Sequence, residues 1–164
     1  MKRFLLFLSL LSCSGATWAQ SVDSTAYDNM LLDLLSHTVK EVAVNQCPQD
    51  GSVVYVDSRE KKEYQVSHIK GAVWVGYDNF DASRMGDVAK DTPIVVYCSV
   101  GYRSEKIAEK LRDMGYTNVS NLYGGIFEWV NQGQTVYNNN QPTKAVHAYD
   151  KNWGQWLNRG KKVY

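Results

Sequence analysis

Three features of this 164-residue chain predict an α/β domain with a mainly parallel central sheet flanked by helices. The runs Val53-Val54-Tyr55-Val56 and Ile94-Val95-Val96-Tyr97 are apolar without alternation, as strands buried on both faces of a parallel sheet are. Each is followed by a segment of helical character, and strands that alternate with helices mark this class. Apolar residues make up 44% and aromatics 12% of the chain, enough for one ordinary core, which excludes a disordered or collagen-like chain. The length suits one domain with short appendages.

The N-terminus reads separately. Lys2 and Arg3 precede an apolar run over residues 4–11, followed by small residues and Thr17-Trp18-Ala19-Gln20. That order is the order of a secretory signal peptide over residues 1–19, with cleavage after Ala19. The run is far shorter than the roughly 20 residues a transmembrane helix needs, so no membrane span is expected. Leu10-Leu11-Ser12-Cys13 loosely resembles a bacterial lipobox, an alternative end that would leave a lipid anchor at Cys13. Either way the protein is expected to be periplasmic or otherwise exported. Losing Lys2 and Arg3 from 18 basic residues leaves 16 against 17 acidic ones, a formal charge of −1, so nucleic acid is not an expected partner. Only Cys47 and Cys98 remain, too few for a disulfide scaffold. They are either one bridge or a working thiol and an incidental one.

Met30, Leu31, Leu34, Leu35, Val39 and Val42 fall at spacings of three and four, which predicts an amphipathic helix over 27–44 within an N-terminal helical extension over 20–50. Pro48, Asp50 and Gly51 form a turn before the first strand, which ends at Asp57. The charged stretch 59–64 predicts a short surface helix, 72–75 a second short strand and 82–90 a helix. Pro93 introduces the strand 94–97, which runs directly into Cys98-Ser99-Val100-Gly101-Tyr102-Arg103-Ser104. Ile107, Ala108, Leu111 and Met114 then line one face of a helix that Gly115 closes. Residues 119–123 predict a strand, Gly124-Gly125 a tight turn and 126–130 a short helix. The Asn- and Gln-rich stretch 132–143 reads as a loop. It opens a C-terminal tail, 132–164, that Trp153, Trp156 and Leu157 are expected to pack onto the domain.

Cys98 sits where a strand ends and a helix begins, the end of an open α/β sheet at which ligands bind. The residues after it can curl so that successive backbone N–H groups point inward as an anion-binding nest, with Gly101 free to take angles that other residues resist. The following helix adds its positive end, and Arg103, expected at an exposed loop end, adds a permanent cation. All of these favour a thiolate. From residue type alone a buried structural cysteine is the commoner case; Gly101, Arg103 and Ser104 in these places reverse it.

The chain resembles a single-domain, exported bacterial member of the rhodanese family, sulfurtransferases with a persulfide-forming cysteine. Four stretches carry the resemblance: Asp57-Ser58-Arg59 with Glu63-Tyr64; His68-Ile69-Lys70-Gly71-Ala72; the loop from Cys98 to Ser104; and Leu122-Tyr123-Gly124-Gly125-Ile126 with Trp129. Ser67 stands where the family usually has glycine. The resemblance implies a rhodanese-like domain over 51–131 of thiosulfate sulfurtransferase type. Cys98 would be the nucleophile and, with Arg103, catalytic; Ser99, Val100, Gly101, Tyr102, Arg103 and Ser104 would bind substrate, with Asp57 and Arg59 supporting the site. Sulfane sulfur would pass from a small-molecule donor, thiosulfate or a persulfide, to a thiol or cyanide acceptor through a Cys98 persulfide, with no metal and no cofactor.

Two alternatives use the same residues: a cysteine-dependent phosphatase or arsenate reductase, and a non-catalytic sulfur-carrier or binding module. Four residues separate Cys98 from Arg103, one fewer than in the related phosphatases, which favours the thin persulfide over a tetrahedral oxyanion. The intact Cys98 and Arg103 argue against a module. His68 reads as stabilising a turn, His147 as a surface residue, Trp129 as core and Cys47 as incidental.

Overall fold

The computed structural model describes residues 22–164; the signal peptide over 1–19 and the lipid anchor at Cys13 lie outside them. Five parallel strands form the central sheet: β1 (Lys40–Val42), β2 (Val54–Asp57), β3 (Val73–Trp74), β4 (Ile94–Tyr97) and β5 (Val119–Leu122), in the order β1-β5-β4-β2-β3. Val54 to Asp57 align with Ile94 to Tyr97, and Ile94 in turn with Val119, so β4 occupies the centre. Its four residues are all buried, as the unbroken apolar run requires. Val95 and Tyr97 face one core with Tyr55, Leu122 and Trp129; Val96 and Ile94 face the other with Val56, Ile107 and Leu111.

Helices cover both faces: α1 (Thr25–Leu34), α2 (Lys61–Val66), α3 (Tyr102–Asp113) and α4 (Gly125–Asn131). Ser24 caps α1 by accepting from the Tyr27 N–H at 3.3 Å. The helix predicted over 27–44 stops at Leu34, and the same apolar spacing continues into strand β1. The cause is tertiary: the Glu105 carboxylate on α3 accepts from the Ser36 and Thr38 N–H groups, both at 3.0 Å, and His37 between them takes a left-handed φ of 54°. These donors turn outward to a carboxylate instead of back along a helix. The segment 20–50 therefore supplies an edge strand as well as a helix.

Two further expectations are corrected. The helix expected over 82–90 shrinks to a single 3-10 turn, Ala82–Met85, ended by Gly86 at φ 56°. The stretch 132–143, expected as a loop, holds the antiparallel hairpin of β6 (Val136–Asn138) and β7 (Gln141–Thr143), turned by Asn139 and Asn140 at positive φ. Tyr137 then exchanges two backbone hydrogen bonds with His68, at 2.9 and 2.8 Å.

The remaining C-terminal residues form β8 (Ala145–His147), the short helix α5 (Lys151–Gly154) and β9 (Lys161–Val163), with β8 and β9 paired in parallel. Leu157 is fully buried, and Trp156 stacks on Tyr27 with ring centroids 5.3 Å apart. Asn131 at the end of α4 ties this segment down, donating to the Trp156 carbonyl at 2.9 Å and accepting from the Asn158 N–H at 2.7 Å. No described helix is long and apolar enough to cross a membrane.

Candidate active site

Strand β4 delivers Cys98 at its carboxyl end, and α3 begins four residues later. The loop between them is held by its carbonyls. Those of Cys98 and Ser99 accept from the Ile126 and Phe127 N–H groups at the start of α4, at 2.9 and 3.1 Å. A Cβ on Gly125 would lie 2.6 Å from the Cys98 and Ser99 carbonyl oxygens, so the Gly-Gly turn is what lets α4 come this close. Gly101 has φ 129°, an angle that other residues rarely adopt. Its N–H reaches back to Cys98 Sγ at 3.1 Å. Its carbonyl accepts from Asn121 Nδ2 at 3.1 Å, and Asn121 Oδ1 accepts from the Ser104 hydroxyl at 2.7 Å. With the Cys98, Ser99 and Gly101 carbonyls engaged elsewhere, the loop turns the Gly101 N–H to the sulfur.

Cys98 is 1% exposed and lines a cavity of about 260 Å³. Of the residues expected to bind substrate, Ser99, Tyr102 and Arg103 line it. Val100 instead packs in the core, and Ser104 is buried on Asn121. Gly101 acts through its backbone. The remaining lining comes from Glu60 at the start of α2, Tyr77 and Asp78 after β3, and Tyr149 and Trp153 of the C-terminal segment. These five were missed, Tyr149 and Trp153 because they lie far along the chain from Cys98 with no local pattern to mark them.

Arg103 is corrected from an exposed loop end to a largely buried ion pair, with 13% of its side chain exposed. Its two terminal nitrogens donate to the two Glu63 oxygens at 2.7 and 2.8 Å, and one also to Ser99 Oγ at 3.0 Å. Burial opposes the Arg103 charge, but the bonds from Glu63 and the charges of Cys98, Glu63 and Asp57 outweigh it and raise its pKa. Burial likewise pushes the Glu63 carboxyl up, yet Arg103, with Arg59 and the Glu60 N–H, brings it down to about 2. Helix α2 is accordingly no plain surface helix, since Glu63 at its middle is fully buried.

Asp57 and Arg59 are both fully buried and pair at 2.6 Å, and Arg59 also donates to the Ser67 carbonyl at 2.6 Å. Arg59 Nη1 and Ser67 Oγ have no hydrogen-bond partner among the described residues. This pair fixes the turn behind α2 and does not line the cavity. His68 supports the same region, stacked on Tyr64 at 4.1 Å with Nδ1 3.0 Å from the Tyr64 carbonyl. His147, expected at the surface, is 4% exposed; its Nδ1 accepts from the Tyr149 N–H at 3.1 Å, and burial lowers its pKa. Trp129 is buried in the core. Both described cysteines are free thiols, and burial pushes Cys47 up to about 11. No cluster of three or more potential metal ligands occurs among the described residues.

The family model for the rhodanese-like domain matches residues 39–132. A tRNA uridine(34) hydroxylase of Pectobacterium carotovorum is 37% identical over 101 residues, which cover 58% of this chain and 28% of the relative. One of Yersinia enterocolitica is 31% identical over 121 residues, covering 71% and 34%. The chain thus spans about a third of the length of these relatives or less. Among solved structures, a Bacillus halodurans protein superposes with a TM-score of 0.55 at 22% identity over 70% of this chain and 85% of that one. The thiosulfate sulfurtransferase of Pseudomonas aeruginosa gives 0.54 at 19% identity over 73% and 23%. Both agree with the parallel five-stranded fold.

Proposed function

Because the chain belongs to the rhodanese-like domain family, whose model spans more than half of it, we propose that it is a sulfurtransferase that carries sulfane sulfur on Cys98. The observation that carries this reading is that Cys98 lines the cavity with the Gly101 N–H on its sulfur at 3.1 Å. In the first step the Cys98 thiolate attacks the outer sulfur of a donor. The donor's S–S bond breaks, its electron pair leaves with sulfite or with a thiolate, and a Cys98 persulfide remains. In the second, an acceptor nucleophile attacks the outer sulfur of that persulfide, and the Cys98 thiolate leaves. Each step forms one bond to sulfur and breaks one, so the reaction is divided without any change in overall oxidation state. The Gly101 N–H and the Arg103 charge offset the negative charge that sits on sulfur throughout. Glu63 positions Arg103.

The tRNA hydroxylation named for the relatives belongs to proteins of which the matched part is 28% and 34%. Here the charged lining of the cavity is Glu60, Asp78 and an ion-paired Arg103, which disfavours a polyanion at Cys98. Export of the chain is part of the same proposal and rests on residues 1–19 alone.

The test is turnover of thiosulfate and of an alkyl persulfide with cyanide as acceptor, read as thiocyanate, beside hydrolysis of an aryl phosphate. Wild type and Cys47→Ser are expected to form thiocyanate with double-displacement kinetics, and Cys98→Ser to form none. Cys98-dependent phosphate release without sulfur transfer would overturn the reading in favour of the phosphatase alternative.

A further inference from the structure

We propose that the cavity at Cys98 selects small sulfur donors and acceptors that carry a positive charge, aminoalkyl persulfides and thiols, over anionic ones, and that Tyr149 and Trp153, outside the family match, help to set this preference. The inference rests on the sulfurtransferase reading above and names its substrate class.

Charge is the first ground. The Asp, Glu, Lys and Arg side chains that line the cavity are Glu60, Asp78 and Arg103, and the Arg103 charge is matched by Glu63 through two hydrogen bonds at 2.7 and 2.8 Å. Arg59 does not line the cavity and pairs with Asp57 at 2.6 Å. An incoming dianion such as thiosulfate therefore meets two carboxylates and a guanidinium already paired with Glu63. A cation meets the two carboxylates, of which Glu60 Oε1 also accepts from the Asp78 N–H at 3.2 Å.

The walls are the second ground. Tyr77, Tyr102, Tyr149 and Trp153 line the same cavity, and aromatic faces attract a cation within about 6 Å of the ring centre. One such contact is already made, with Arg103 Cζ 5.1 Å from the Tyr149 ring. Tyr149 is built into place. It holds a left-handed φ of 66°, and its N–H is fixed by the buried His147 at 3.1 Å. Trp153 is set by α5, whose cap Asp150 accepts from the Trp153 N–H at 2.8 Å. Size is the third ground, because about 260 Å³ falls below the roughly 300–1,000 Å³ of pockets for drug-sized ligands and suits a donor of few atoms.

In the step implied, the Cys98 thiolate attacks the outer sulfur of a persulfide R–S–SH. The new S–S bond yields Cys98–S–SH, the old one breaks, and its electron pair leaves as R–S⁻, while an ammonium on R stays between Glu60 and Asp78. An aminothiol acceptor runs the same step in reverse from the Cys98 persulfide.

Three donors that differ mainly in charge test this: the persulfides of cysteamine, mercaptoethanol and mercaptopropionate, each generated in situ. The rate of Cys98 persulfidation is measured by intact mass and divided by the rate of the same donor with a free small thiol. The expected order is cationic, neutral, anionic. In the double variant Glu60→Gln with Asp78→Asn, the cationic-to-anionic ratio is expected to fall about tenfold, the combined effect of two partly exposed carboxylates on a two-unit charge difference. It should fall less in Tyr149→Ala with Trp153→Ala. Equal normalised rates, a faster anionic donor, or a ratio that the double variant leaves unchanged would overturn the proposal while leaving sulfur transfer intact. Failure of all three donors to persulfidate Cys98 would instead overturn the sulfurtransferase reading, and this inference with it.

Discussion

Removing the Arg103 side chain is expected to have two separate consequences, because Arg103 touches the cavity on one side and Glu63 on the other. Loss of a guanidinium charge from the cavity that holds Cys98 should cost turnover about 2–4 kcal/mol. The same change strands a buried Glu63 carboxylate, so Arg103→Ala is also expected to lower stability by about 3 kcal/mol, and Glu63→Gln in the same chain should restore part of it. An unchanged melt for Arg103→Ala would contradict this. The pair also predicts a pH dependence. The Glu63 carboxyl is depressed from 4.5 to about 2, so its stabilising contribution is complete above about pH 4.5 and is lost as pH falls towards 2. Unfolding measured across that window should show wild type losing more stability than Glu63→Gln; equal losses would contradict it. Sequence alone marked Cys98 and Arg103 by their spacing after a strand. It could not show Arg103 buried against Glu63, because that contact joins residues 40 apart in the chain through the pairing of β2 and β4.

At the scale of elements, the site depends on how closely α4 approaches the loop after β4. Gly125→Ala would place a methyl 2.6 Å from the Cys98 and Ser99 carbonyl oxygens, and the loop or the helix must then shift. Overpacking of this kind costs about 1–3 kcal/mol, while a displacement near 1 Å at a reacting centre costs about a hundredfold in rate. Sulfur transfer should therefore fall more than stability; a variant with wild-type turnover would contradict the role given to this contact. Strands β2, β4 and β5 and helix α3 were legible as sequence because their pattern is local: continuous apolar runs, and an apolar stripe closed by glycine. Strand β1 was hidden by apolar spacing that also fits a helix, and only the Glu105 carboxylate decides between them. The β6–β7 hairpin escaped notice because Val136 alone of its first strand is buried, leaving little apolar pattern to read.

For the whole molecule, the C-terminal segment is part of one cooperative unit with the sheet. Leu157 is fully buried in the core that also holds Tyr27 and Trp129, so Leu157→Ala should destabilise by about 2–5 kcal/mol. The segment and the sheet should unfold in a single transition by both near- and far-ultraviolet circular dichroism; a separate early transition would contradict this. The same segment walls the cavity with Tyr149 and Trp153, which ties overall stability to the shape of the site. The central claim, that Cys98 is the sulfur carrier, is tested most directly by mass spectrometry of the protein after exposure to an alkyl persulfide and to thiosulfate, followed by peptide mapping. One added sulfur is expected on Cys98, and none in Cys98→Ser. Sulfur on Cys47, or no added sulfur with either donor, would contradict it.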